Sequence, residues 1–182
     1  MTESSPPIPG QPSPREEAPS LRSVVGQLAH AVGSTLGPGD VAALRRLDPA
    51  DPACPAFFKV AAAFLVPAGL LPAGGEARDE AERRWASVLS GLAIHEMHAP
   101  DRRLGQALAA AGFSELRFVR LLRAHDSGLR DEVRTTARFL ASKAERADWT
   151  EMAQLVLSDG HDHAEAVRRR IARDFYANLN QP

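Results

Sequence analysis

The chain has 182 residues, a hydrophobic share of 44% and 22 Lys plus Arg against 23 Asp plus Glu, which suits one medium-sized soluble domain or two small ones. No apolar run approaches the roughly 18 residues of a membrane span, and the N-terminus lacks a basic-then-apolar leader, so the sequence predicts a cytoplasmic protein. The single Cys54 excludes an intramolecular disulfide and any Cys-rich zinc module, and an aromatic share of 5% argues against base stacking as the main activity.

Residues 1–20 hold six of the fourteen prolines and almost nothing apolar, the composition of a disordered tail. Leu21, Val24, Val25, Leu28, Val32 and Leu36 then recur at helical spacing until Gly37-Pro38-Gly39. Asp40 is placed to cap a short helix through Leu47, and Pro55 to open another through Val66, followed by a turn over 67–75. A long helix is expected from about Glu76 to His98, with Trp85, Val88, Leu89 and Leu92 as its apolar stripe. Asp101 is placed to cap a helix through Ala111, and Ser114 one to about His125. Ser127 starts a helix to Leu140, Asp148 with Glu151 reads as a capping box for one to Leu157, and a last helix covers His161 to Asn178. No alternating run reads as a strand. The expected fold is all-α, about nine helices in two sub-bundles: a tail (1–20), an N-terminal helical subdomain (21–99) and a C-terminal helical bundle (100–182).

The net charge of −1 conceals an uneven distribution. From Arg102 to Arg138 eight arginines (102, 103, 117, 120, 123, 130, 134, 138) face four acids, so this stretch carries +4 and the remainder −5. At about 100° per residue, Phe118, Leu121, Leu122 and His125 share one face of their helix, and Arg117, Arg120 and Arg123 an arc of about 120° opposite. Arg130, Arg134 and Arg138 form a second row, about 12 Å long. Two such rows suit a sugar-phosphate backbone followed without base reading, and they equally suit two solvated polar faces. Arg45 and Arg46 are open to the same pair of readings, as is the Arg168-Arg169-Arg170 and Arg173 cluster, which also complements a helix C-terminus.

Catalytic signals are weak. His95 and His98 stand at i and i+3, where a zincin helix needs i and i+4, and His161 and His163 follow a turn at Gly160, so both pairs read as structural or surface residues. Cys54 has no neighbour that would activate it, and neither a nucleophile elbow nor a phosphate loop is present. The reading is of a protein that is not an enzyme and takes no cofactor and no metal.

Three blocks resemble a known family: Leu104-Gly105-Gln106-Ala107-Leu108-Ala109, the run Ser114 to Ala124, and Asp148-Trp149. They are similar to the CasB family, the small subunit of the type I-E CRISPR surveillance complex, Cascade. The similarity extends to Leu44-Arg45-Arg46, to Pro55-Ala56-Phe57-Phe58-Lys59 and to Phe175-Tyr176, and so covers about residues 40–176. It implies an all-helical, non-enzymatic subunit, present in two copies, that bridges the crRNA-binding backbone subunits and the large subunit. It also implies basic surfaces that stabilise the R-loop against the target strand, the displaced strand or the crRNA, while base pairing reads the sequence. Arg45, Arg46, Lys59, Arg117, Arg123 and Arg138 match basic positions of the family; Phe57, Leu121 and Trp149 match apolar positions expected in the core. With Arg102, Arg103, Arg120, Arg130 and Arg134 these six basic residues make eleven candidates for nucleic-acid contact. Gln106 stands where the motif often has Arg, and Ser158-Asp159-Gly160 where relatives often carry Trp. The alternative from another class is a helical protein-protein adaptor without nucleic-acid contact.

Overall fold

The computed structural model describes residues 19–179, and the tail expected over 1–20 falls outside them except at its last two residues. Among the described residues the chain forms nine helices: α1 (Leu21–His30), α2 (Pro38–Arg46), α3 (Pro55–Val60), α4 (Gly75–His95), α5 (Leu104–Ala110), α6 (Glu115–Arg123), α7 (Asp126–Ser142), α8 (Trp149–Leu157) and α9 (Ala164–Leu179). α1 and α3 each continue into a π turn, at Ala31–Thr35 and Ala61–Leu65, closed by bonds from Leu36 N–H to Ala31 O (2.8 Å) and from Val66 N–H to Ala61 O (2.9 Å). No strand forms among these residues; a single parallel bridge joins His98 and Ala147.

Several expected caps lie elsewhere. Ser20, assigned to the tail, caps α1 by accepting the Ser23 N–H. Pro38 occupies the first turn of α2, so Asp40 lies inside the helix and Gly37 precedes it. α5 starts at Leu104 rather than after Asp101, and the acid that serves its first turn comes from α8: Glu151 accepts the Leu104 N–H at 2.7 Å. The Asp148–Glu151 capping box is therefore half formed, with Asp148 capping Thr150 (2.8 Å) and Glu151 used on α5.

α4 is the axis of the molecule. Trp85 to Ala93 and His95 are all buried, because this stretch is covered on several sides by α1, α2, α7 and α8. α4 and α7 run parallel: Glu80 near the start of α4 meets Arg130 near the start of α7, and His95 at its end meets the Glu145 carbonyl just beyond α7. One hydrophobic cluster runs from Val24 on α1 through Leu89 on α4 to Phe175 on α9. The division near Pro100 thus separates chain segments that share a core.

Two glycines fix the close crossings. A Cβ at Gly91 would lie 2.3 Å from the Trp149 ring, and a Cβ at Gly105 would lie 2.4 Å from the Ile171 carbonyl and 2.7 Å from the Phe175 nitrogen. Gly105 therefore lets α5 lie directly on the α9 backbone, a contact no side chain at that position permits.

A candidate nucleic-acid interface

The two arginine rows meet different fates. On α6, Arg117 is exposed and lies over the Phe139 ring (5.9 Å), Arg120 pairs with Glu132 of α7 (2.6 Å), and Arg123 is exposed with no partner among the described residues. On α7 the expected outward row starts inward and emerges only at its far end. The Arg130 side chain is 16% exposed and faces Glu80 (3.8 Å), Arg134 donates to the Leu47 carbonyl, and Arg138 is exposed and unpaired among the described residues. Residues four apart drift about 40° around a helix per step. Leu129, Val133, Thr136, Ala137 and Leu140 set the buried side, so the row begins beside the core at Arg130 and leaves it only by Arg138. An uncompensated three-residue row on α7 is thus corrected to one outward guanidinium.

Arg45 is drawn onto the end of α4, where it donates to Ala93 O (2.8 Å) and pairs with Glu96, while Lys59 pairs with Asp40 (3.0 Å). Arg46 is exposed with no partner among the described residues. It directly precedes Leu47, the residue that Arg134 holds, and Arg138 lies one turn beyond Arg134, so the unpaired Arg46 and Arg138 flank that contact. Arg102 pairs with Glu145 (2.8 Å), and Arg103 with Glu151 (3.4 Å) and Asp174 (3.1 Å).

A second cation, Lys143, lies over Phe139 at 5.8 Å, and Phe113 packs edge-on against the same ring (4.9 Å). The half-buried Phe139 thus seats Arg117 and Lys143 on one ring, which orients both charges without neutralising either. Lys143 was not among the sequence candidates; its signal, a spacing of four from Phe139 on one helix, was available.

His125 does not continue the apolar face of α6, which ends at Arg123; it precedes α7 and bonds Asp159 (2.8 Å). Burial alone would raise the Asp159 pKa, but the Asp126 N–H, the Arg168 guanidinium and His125 together hold it below the usual carboxylate value. Arg168 is buried and donates to Leu122 O (2.9 Å) and Ala124 O (3.2 Å), closing the end of α6. Of the basic cluster on α9, Arg169 turns back to Glu165 (3.6 Å), Arg170 engages Gln154 and Glu151, and Arg173 is exposed and unpaired among the described residues.

The histidine pairs resolve simply. The Trp149 indole N–H can only donate, and it meets His95 Nδ1 at 2.7 Å, so the His95 proton sits on Nε2 and reaches the Glu145 carbonyl at 2.6 Å. Burial pushes the His95 and His98 pKa values down, against the opposing pulls of the Glu145 carbonyl and of the Asp148 carboxylate respectively. His161 and His163 are exposed, their rings stacked at 5.9 Å. Among the described residues no group of three or more His, Cys, Asp or Glu could hold a metal, and no helix is long and apolar enough to cross a membrane.

Comparison with known proteins places this arrangement. No curated protein sequence matches the chain significantly. A chain in the crystal structure of E. coli Cascade bound to a PAM-containing dsDNA target shares the fold, with a TM-score of 0.63 and 24% identity over 86% of this chain and 97% of that one. CasB from Thermobifida fusca superposes with a TM-score of 0.64 and 20% identity, covering 86% of this chain and 95% of that one. The family model of CRISPR-associated protein Cse2 matches residues 40–176, the span that the sequence blocks delimit, and the chain is a member of that CRISPR-associated Cse2 (CasB) family.

Proposed function

We propose that this chain is the non-catalytic small subunit of a type I-E CRISPR Cascade complex, holding nucleic-acid backbone without reading bases, stabilising the R-loop and bridging other subunits. The observation that carries the reading is the set of guanidinium groups on α2, α6 and α7 left without acid partners among the described residues, Arg46, Arg123 and Arg138, joined by Arg117 and Lys143 on the Phe139 ring. Such groups have N–H donors to spare for phosphate, whereas Arg45, Arg102, Arg103, Arg120, Arg130, Arg134 and Lys59 are engaged within the fold and position their neighbours. Family membership and the dsDNA-bound complex that holds the matched E. coli chain support the same reading. Its partners would be the crRNA-binding backbone subunits, the large subunit, a second copy of itself, and the target and displaced strands or the crRNA.

Bridging draws support from the exposed apolar side chains Phe58 and Val66 near α3, and Leu116 and Tyr176 on α6 and α9, with Leu116 on the same face of α6 as Arg120 and Arg123. The test is binding of the chain, alone and within the reconstituted complex, to oligonucleotides of unrelated sequence. Affinity should be the same across sequences and fall steeply as salt rises. Affinity insensitive to salt would leave the adaptor reading in its place.

A further inference from the structure

Trp149, the first residue of α8, is held by three groups from the end of α4. The tip of its ring lies against Gly91, where a Cβ would come within 2.3 Å. Its indole N–H donates to His95 Nδ1 at 2.7 Å, and its backbone N–H donates to His98 Nδ1 at 3.1 Å. Between the two histidines Glu96 closes α4 in the left-handed region (φ 54°), its N–H bonded to Leu92 O at 2.8 Å and its carboxylate paired with Arg45, and this bend turns the chain so that His98 meets the same residue as His95. Both Trp149 groups can only donate, so each histidine must present an unprotonated Nδ1. An imidazolium carries hydrogen on both ring nitrogens, and two donors would then face each other across each contact.

The surroundings offer the charged forms no replacement. His95 is 2% exposed, and its Nε2 already donates to the Glu145 carbonyl at 2.6 Å, while the Glu145 carboxylate is taken by Arg102 (2.8 Å). The His98 side chain has Asp148 Oδ1 at 4.0 Å, but that oxygen accepts the Thr150 N–H at 2.8 Å, and Oδ2 holds Arg22. A charged His98 therefore gains Asp148 only by displacing the N-cap of α8. The other charges nearby are occupied: Arg45 with Glu96, Arg146 with Asp101, and Glu151 with the Leu104 N–H, Arg103 and Arg170. Burial holds both histidine pKa values below 6.5, so the closed arrangement refuses protons that a released His95 or His98 takes up.

We propose that His95 and His98 form an acid-operated release for the start of α8: neutral, they bind Trp149 to the end of α4, and protonated, they let both of its N–H groups go. The same turn carries Asp148 and Glu151, which hold Arg22 of α1 and the Leu104 N–H of α5, so release loosens α1 and α5 as well. The α9 core, where Gly105 meets Ile171 and Phe175 stacks on Phe118 (3.8 Å), uses no histidine and stays closed. The release is independent of the proposed function and stands or falls without it.

Hydrogen exchange of the isotope-labelled full chain, followed by NMR from pH 7.5 to 5.0, tests it, with each rate divided by the intrinsic exchange rate at that pH. Opening at the two Trp149 N–H groups and the Thr150 and Glu151 amides should rise as pH falls below 6.5 by more than about tenfold per unit, steeper than one proton allows, while the Ile171 and Phe175 amides hold their protection. His98→Asn sets an amide oxygen where Nδ1 accepts but cannot take a proton, and should reduce the rise to about tenfold per unit or less. His95→Gln/His98→Asn should abolish it, with Trp149 still protected at pH 5.0. The release is overturned if the α8 and α9 groups open in step, which is unfolding of the whole molecule, or if His98→Asn leaves the slope unchanged. Should the double variant not fold, the parent and His98→Asn decide between these outcomes.

Discussion

α6 and α7 lie side by side with three arginines each, yet the two rows are placed differently against the core. The α6 row is spaced by three, and Arg120 and Arg123 fall opposite Phe118 and Leu121, so both reach solvent. The α7 row is spaced by four and starts beside the buried stripe, so Arg130 and Arg134 are taken up by Glu80 and Leu47 before Arg138 emerges. The angle between a charged row and the core decides whether its cations reach solvent or are taken up by the fold.

The severest way to break this comparison is to disturb the frame that orients both helices. Gly105→Ala places a carbon 2.4 Å from the Ile171 carbonyl, and backbone on both sides leaves little room to yield. A loss of about 3 kcal/mol is expected, read in urea unfolding as a lower midpoint at constant slope. The comparison itself sharpens with Arg134→Ala, which removes a charged donor from Leu47 O. It should cost about 1–2 kcal/mol of stability and leave DNA affinity within about twofold. Arg123→Ala/Arg138→Ala should do the reverse, weakening DNA binding about tenfold with a melting temperature within roughly 1 °C of the parent.

Acid separates the two regions more gently. His95 and His98 have lowered pKa values in the fold, so below their ordinary value of 6.5 the unfolded chain takes up protons that the folded one refuses, and stability declines as pH falls. Glu80 and Asp159 are also lowered, from 4.5 and 3.8. Their contribution is intact above those values and is lost as pH falls through and below them. Melting temperatures from pH 8 to pH 3 should show the two declines in that order. Arg130→Ala, the smallest change, should shallow the lower one slightly, because Arg130 is one of the charges that hold Glu80 ionised beside Arg83 and Arg84.

Helix periodicity made most of the fold legible. The apolar stripe of Trp85, Val88, Leu89 and Leu92, the Ser114 cap and the Asp148 cap all stand where the pattern puts them. The errors lie where a residue answers to a distant segment. Glu151 serves α5 instead of its own helix, and Asp159 of the α8–α9 turn accepts the Asp126 N–H at the start of α7, contacts that no local spacing encodes. The candidate site was legible in residue type only. Periodicity could list Arg130 and Arg134, but the α2–α3 loop and the start of α4, which engage them, arrive by tertiary packing. Arg22 and Arg146 went unremarked because each stands apart from the arginine rows in sequence, and their partners Asp148 and Asp101 reach them only in the fold.

The most direct measurement sets two double variants side by side, Arg123→Ala/Arg138→Ala and Arg130→Ala/Arg134→Ala, each assayed for melting temperature and for DNA affinity at 100 mM KCl. The account expects the first pair to lose affinity at full stability and the second to lose stability at near-full affinity. Affinity lost only in the second pair, or in neither, would contradict it.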